Sequence, residues 1–428
     1  MVKQLPMTEI VRKESFAKES VPFADTIQNL VWGLLVFLSF SLPVNFQPIK
    51  ICLLVFLLLF LFVKISSRCS GDVLKLAFIW LLFSLPVSAI GFSKGNMGAF
   101  AFAKVELIYP ILLFLCILFL KNKSIMSVTY KAMIYSSIFI SLYTFLLLLQ
   151  RIGVINVSGF WIIDDTSDAA LHDGYTHITN TNLSMLIFIF PCILLLNKEE
   201  RNKLRLNPIL LCVAIFASAF AMLLSGRRIL WIIEFICFFL YFLRIKMRLS
   251  RKIATLAFVI IIAIVSFVFL GDKLGFSVDS LKDRLINVFQ KTDELGGENV
   301  RFVQMSKLIN GFKENFLFGA GGGATIDGYY RSSESPWVFE ASYHMILFNS
   351  GIIFSLVYLS FFFYLCYLIL KMRKKCYFVI SIFFALLFAI IANATNPYFS
   401  ASFDFLFFIF IPILYINNKE FVKKQFKE

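Results

Sequence analysis

Two adjacent arginines, Arg227 and Arg228, stand in the stretch LLSGRRILW, directly between two long apolar runs. Neighbouring guanidinium groups are costly there and run against the usual distribution of charge around membrane segments. A guanidinium is a planar fork that binds phosphate or pyrophosphate through paired hydrogen bonds, so an anionic headgroup suits it. The competing reading is a pair of side chains snorkelling at a helix end. Ser225 and Gly226 just before the pair let a ligand approach the backbone closely. Glu234, about two turns after Arg227 on the same face, is a candidate counter-charge. Lys104, with Glu106 beside it, lies early in another apolar run; Lys104 can reach the interface and a phosphate, with snorkelling equally open. Arg284 and Arg301 lie in amphipathic stretches, where a solvated face competes with a binding role. Glu340 and His344, in VFEASYHMILFNSG, are spaced i, i+4, which on a helix puts both on one face. A carboxylate and an imidazole so placed can share a proton, and either can act as general base.

The elements that carry these residues are apolar. The chain has 428 residues, 59% hydrophobic and only 16% charged, and its mean hydropathy is +0.83. A bilayer core of about 30 Å needs roughly 20 apolar residues per helix, and the chain meets that demand repeatedly. Runs at 28–46, 49–65, 74–93, 99–120, 129–150, 182–197, 208–225, 229–245, 253–270, 343–370, 376–393 and 400–417 predict an all-α polytopic membrane protein of about twelve transmembrane helices. No cleavable leader is expected from the polar first 27 residues.

The formal charge of +15 comes from cations in short loops between apolar runs, which argues for membrane topology and against nucleic acid as a partner. Alternate connections are rich in Lys and Arg, as in Lys198/Arg201/Lys203/Arg205 and Arg244/Lys246/Arg248/Arg251/Lys252, while the others are poor in both. The cation-rich set, with both termini, is expected in the cytoplasm. The division is a cytoplasmic segment 1–27, membrane helices within 28–270 with an outer loop 151–181, a large outer loop 271–341, membrane helices within 342–417 and a cytoplasmic tail 418–428. Within the large loop, 278–291 and 298–314 have helical apolar spacing and are expected to lie at the outer membrane surface. Gly319, Gly321, Gly322 and Gly323 are then expected to form a flexible loop.

The eight cysteines sit in apolar runs or cytoplasmic loops and show no metal or disulfide spacing. His172 and His177, with Asp164, Asp165, Asp168 and Asp173, lie in the 151–181 loop as a weak metal signal, with solvated loop residues as the alternative. The expectation is therefore no metal and no cofactor.

Three pieces in order resemble a known family: the SGRRILW arginine turn, the stretch from Arg301 through RFVQMSKLINGFKENFLFGAGGG, and a polar residue starting a helix eleven residues before Gly351. This pattern resembles the O-antigen ligase/polymerase superfamily, which includes Wzy-type repeat-unit polymerases and lipopolysaccharide ligases. The resemblance implies a fold like that of the C-type glycosyltransferases and donors linked to undecaprenyl pyrophosphate. It implies that Arg227, Arg228 and Arg301 hold the donor pyrophosphate, with Lys104 a further candidate, and that the active site is periplasmic on the bacterial inner membrane. In the ligases a histidine, usually followed by Asn, precedes the matching glycine by about eleven residues. Here Glu340 holds that position and His344 follows a turn later, a departure that favours a polymerase. Membrane lipid and a polysaccharide chain-length regulator are candidate partners. A ligase acting on lipid A core is the nearest alternative. A lipid-linked oligosaccharide flippase is more distant, because carriers usually show internal repeats and midplane breaks that this sequence lacks.

Overall fold

The computed structural model describes residues 23–62, 70–151, 153–155, 168–172, 175–225, 227–244, 300–329, 333–372 and 378–419. The expected helices 253–270 and 278–291, and the Asp164-Asp165 pair, lie outside the described residues.

Apolar runs with few helix breakers become helices wherever they can bury a face. The described helices are α1 (Phe23–Ser41), α2 (Gln47–Phe62), α3 (Gly71–Ser93), α4 (Ala99–Phe119), α5 (Ile125–Arg151), α6 (Leu186–Leu194), the short α7 (Lys198–Lys203), α8 (Pro208–Leu224), α9 (Arg228–Arg244), α10 (Val300–Glu314), α11 (Ser342–Lys371), α12 (Val379–Asn393) and α13 (Phe407–Asn417). By length and composition, α3, α4, α5 and α11 can each cross a membrane, and α2, α6, α8, α12 and α13 are shorter apolar helices. α1 packs along α5, α5 along α8, α3 along α11, and α6 along α12.

Among the described residues, contacts between connections gather at two ends of the bundle. At the cation-rich end, Asn122 Nδ2 donates to Asn29 Oδ1 at 3.3 Å, Lys419 pairs with Asp72 at 2.6 Å and the Phe378 N–H donates to Glu200 Oε1 at 2.9 Å. At the other end Asn182 Nδ2 donates to the Ser41 carbonyl at 2.9 Å and the Gly98 N–H to the Gly323 carbonyl at 3.0 Å.

Three local differences have physical causes. The loop read as 151–181 contains an antiparallel hairpin, Asp168–His172 with Tyr175–Thr179, within an otherwise helical bundle. Thr176, Ile178 and Thr179 favour strand. The sixth run starts as a 3-10 turn, Thr181–Met185, where Asn180 accepts the Asn182 N–H and caps the chain. The last run is broken by Ser402, whose extended backbone (φ −159°, ψ 165°) separates Tyr398–Ala401 from Phe403–Leu406.

That break places Asp404 opposite Lys50 of α2, at 2.7 Å and with both side chains fully buried. Asp404 also accepts from the Val44 N–H at 2.8 Å, and Lys50 donates to the Leu42 carbonyl at 2.6 Å. Breaking one side of such a pair leaves a buried charge alone. Lys50→Met is therefore expected to cost about 3–5 kcal/mol, read as a lower unfolding temperature of the purified protein. Adding Asp404→Leu should restore most of the loss; equal stability of wild type and Lys50→Met would contradict the pairing.

Candidate active site

The site is organised by a helix that is interrupted. α11 is broken at Gly351 (φ 63°, ψ −176°), and a break inside a helix long and apolar enough to cross a membrane frees backbone groups that must find partners in protein. The chain just after α10 supplies them. Phe316 and Leu317 carbonyls accept the Ile352 and Ile353 N–H groups at 2.8 and 3.2 Å. The Phe348 and Asn349 carbonyls accept the Ala320 and Gly321 N–H groups, both at 2.8 Å. The contact is too close for side chains: a Cβ on Gly319 would sit 2.3 Å from the Asn349 carbonyl oxygen, and one on Gly351 would sit 2.5 Å from that of Leu317. Both glycines also have positive φ.

The glycine segment is thus wedged between helices, which corrects the expectation of a flexible loop. The turn between α3 and α4 holds its other side. Asn96 Nδ2 donates to the Ala320 and Gly322 carbonyls at 3.0 and 3.2 Å, and Lys94 Nζ to the Gly319 carbonyl at 3.2 Å and Asn315 Oδ1 at 3.1 Å. The Gly322 N–H donates to the Val87 carbonyl of α3 at 2.9 Å.

This wedge fixes the first half of α11 and what precedes it. Glu340 is half-buried and lies two residues before the helix, because Ala341 (φ −75°, ψ 72°) is not helical. The i, i+4 argument for a shared face therefore does not apply to Glu340 and His344. Glu340 is held instead through its neighbour: the Ala341 N–H donates to the buried Gln304 Oε1 of α10 at 2.9 Å. Leu308 of α10, Ala320, Phe339, Met345 and Phe348 form a small apolar core behind this junction. Arg301 lies on α10, one turn before Gln304, so the second and third sequence motifs meet in one place; its side chain is not among those described. His344 is half-buried in the first turn of α11, and its neighbour Tyr343 donates from its hydroxyl to the Ile390 carbonyl of α12 at 2.6 Å.

Arg227 stands between α8 and α9, half-buried, with its N–H on the buried Ser225 hydroxyl at 3.1 Å. Its guanidinium donates to the Ser184 hydroxyl in the 3-10 turn before α6. Since α6 packs along α12, and α12 receives Tyr343, Arg227 and the Glu340–His344 segment sit at the same end of the bundle. An arginine has five N–H donors, so one bond to Ser184 orients the group and leaves donors for an anion. Arg228 opens α9, with its side chain not among those described. Glu234 is buried on α9 and forms no ion pair with Arg227; its Oε2 has no partner. Lys104 begins a π turn (Lys104–Ile108) inside α4. It is exposed between exposed Phe100 and Ile108, so it lies on the outer, lipid-facing stripe of the bundle. His172 and His177 fall on the two hairpin strands, opposite Tyr175 and Ala170 respectively.

Sequence reasoning missed Gln304, Asn96 and Asn349. The turn-forming string SKGNMG at 93–98 was the available signal for Asn96. Gln304 had none beyond being a polar residue one turn from Arg301.

Residues 213–345 match the family model described as O-antigen ligase, a span that takes in Arg227, Arg228, Arg301, the glycine wedge, Glu340 and His344. No curated protein matches the chain. The chain therefore carries an O-antigen ligase family domain over residues 213–345, which supports its placement in the O-antigen ligase/polymerase superfamily.

Proposed function

We propose that the protein polymerises undecaprenyl-pyrophosphate-linked oligosaccharide repeat units into O-antigen or a related surface polysaccharide, on the periplasmic face of the bacterial inner membrane. The observation that carries the reading is the wedge of the glycine segment into the break of α11. It presents Glu340 and His344 on a rigid support at the same end of the bundle as Arg227. A rigid support at a membrane interface is what attack on a lipid-anchored donor needs.

In this reading an acceptor sugar hydroxyl attacks the anomeric carbon of the donor glycan. A new glycosidic C–O bond forms as the bond from the anomeric carbon to pyrophosphate oxygen breaks. The hydroxyl proton passes to Glu340 or His344. Arg227, Arg228 and Arg301 stabilise negative charge as undecaprenyl pyrophosphate leaves, and that departure drives a reaction on a face without ATP. The arginines can do the neutralising, so no step calls for a metal. The family description supports a second reading, a ligase that moves the glycan to lipid A core; Glu340 at the ligase histidine's position favours polymerisation.

The arginine clamp is tested by purified protein acting on a lipid-linked repeat unit. Arg227→Lys keeps charge and loses the fork, so turnover should fall about 30- to 150-fold, the value of a charge-assisted bond of roughly 2–3 kcal/mol. Wild-type turnover in both Arg227→Ala and Arg228→Ala, at normal protein levels, would remove the clamp from the mechanism.

Sidedness is tested separately. A cysteine at Ser335 should react with an impermeant thiol reagent in cells whose outer membrane alone is permeabilised. Labelling that requires inner-membrane lysis would reverse the topology.

A further inference from the structure

Glu106 takes no part in the chemistry above, and its surroundings call for a ligand. It lies inside α4, which is long and apolar enough to span a membrane, and it is 2% exposed. It sits in the π turn Lys104–Ile108, a distortion that adds a residue to the helical turn and recurs at functional sites. The Trp80 indole N–H of α3 donates to its backbone carbonyl at 2.6 Å, and the Ser400 hydroxyl lies beside its carboxyl. Its Oε2 has no partner, and no Lys, Arg or His among the described residues pairs with it.

The neighbours repeat the pattern. Tyr358 of α11 packs against Trp80 and Phe83 with ring centroids 6.1 and 4.9 Å apart, within electrostatic reach of Glu106, and its hydroxyl has no partner. Ser84 and Ser88, on the buried face of α3 that carries Trp80, have hydroxyls without partners. Each orphan in this wedge is an oxygen. A buried carboxylate without a positive partner is strongly disfavoured, most of all in a bilayer. A buried polar atom without a partner calls for an explanation, and a bound ion supplies one.

We propose that Glu106 is the anionic ligand of a buried small-cation site between α3, the π turn of α4 and α11, filled by a proton or by Na⁺. Both ions neutralise the carboxyl and use oxygen partners. The other titratable groups around it do not compete for this role. Tyr343 of α11 lies behind Tyr358, and Tyr109 follows on the same helix. Lys104 is turned to the outer surface, and Asp404 is already paired with Lys50. The proposal does not depend on the polymerase reading, because its test reads stability alone.

The test uses the full-length protein in lipid nanodiscs, with thermal unfolding followed from about pH 5 to 9 in NaCl and in choline chloride of equal ionic strength. If Na⁺ fills the site, NaCl raises the unfolding temperature by about 2–4 °C over choline at saturating ion. If a proton fills it, the unfolding temperature changes with pH equally in both salts. In either case Glu106→Gln, which keeps shape and removes the negative charge, should lose the response. Should that variant fail to fold, Ser400→Ala keeps the carboxyl, removes its hydroxyl partner and should displace the ion concentration or pH at which the response occurs. A wild type indifferent to both ions overturns the proposal. So does a Glu106→Gln or Ser400→Ala variant that responds as wild type does.

Discussion

On the proposed function, Glu340→Gln is expected to abolish polymer formation while the protein still inserts and binds its donor, the largest effect expected of a single side chain. An acceptor hydroxyl is a very weak acid, so attack needs a proton acceptor within about 3 Å in the reactive complex. Gln keeps the length and polarity of the side chain and removes the basicity. The Ala341 N–H on Gln304 and the packing of Phe339 also hold the segment at residue 340, and neither uses the carboxylate. His344→Ala should reduce turnover less, since the imidazole stands in the first turn of α11 behind the residue that matches the ligase histidine. The assay is polymerisation by purified protein with a lipid-linked substrate, run across pH. Normal polymerisation by Glu340→Gln together with loss in His344→Ala would reverse the two roles. Activity in both would move the base to another segment.

Gly319→Ala should remove activity and stability together. Its φ of +80° is disfavoured for a side chain by about 1–2 kcal/mol. Its Cβ would also lie 2.3 Å from the Asn349 carbonyl oxygen, a backbone atom that cannot swing away. Overpacking adds about 1–3 kcal/mol, for a total near 2–5 kcal/mol. The displaced wedge would release the Ala320 and Gly321 bonds to α11 and shift the Glu340 segment, so turnover should drop at least as steeply as stability. Gly328→Ala is the control: φ is +68° there, but nothing lies within 4 Å of the added Cβ. It should show only the conformational cost and near-normal turnover. Equal behaviour of the two variants in thermal unfolding and turnover would mean the wedge does not support the site.

Much of this was legible in the sequence because bilayer physics is unforgiving. The runs at 74–93 and 99–120 predicted Gly71–Ser93 and Ala99–Phe119 closely, since uninterrupted apolar stretches have few alternatives to helix. The amphipathic stretch 298–314 predicted Val300–Glu314. What was not legible depends on contacts far apart in sequence. Four glycines in a row of five residues read as local freedom, yet their function is close approach to α3 and α11, which local composition cannot express. The spacing of Glu340 and His344 read as one helical face, but Gln304, from a different helix, takes the Ala341 N–H and starts the helix two residues later. The Lys50–Asp404 pair could have been inferred: a lone cation in QPIK and a lone anion in ASFDF, each in an apolar run, require partners. The hairpin could have been found as well, from HDGY followed by the β-branched Thr176, Ile178 and Thr179.

The most direct measurement of the central claim is the surface glycan ladder of a strain that lacks this protein, with and without the wild-type chain restored. Polymerisation predicts that the deletion leaves a single repeat unit attached to its lipid carrier or core, and that restoring the chain returns the full ladder while Glu340→Gln does not. A deletion strain with no glycan attached at all, and long chains accumulating on the undecaprenyl carrier, would contradict it and make the protein a ligase.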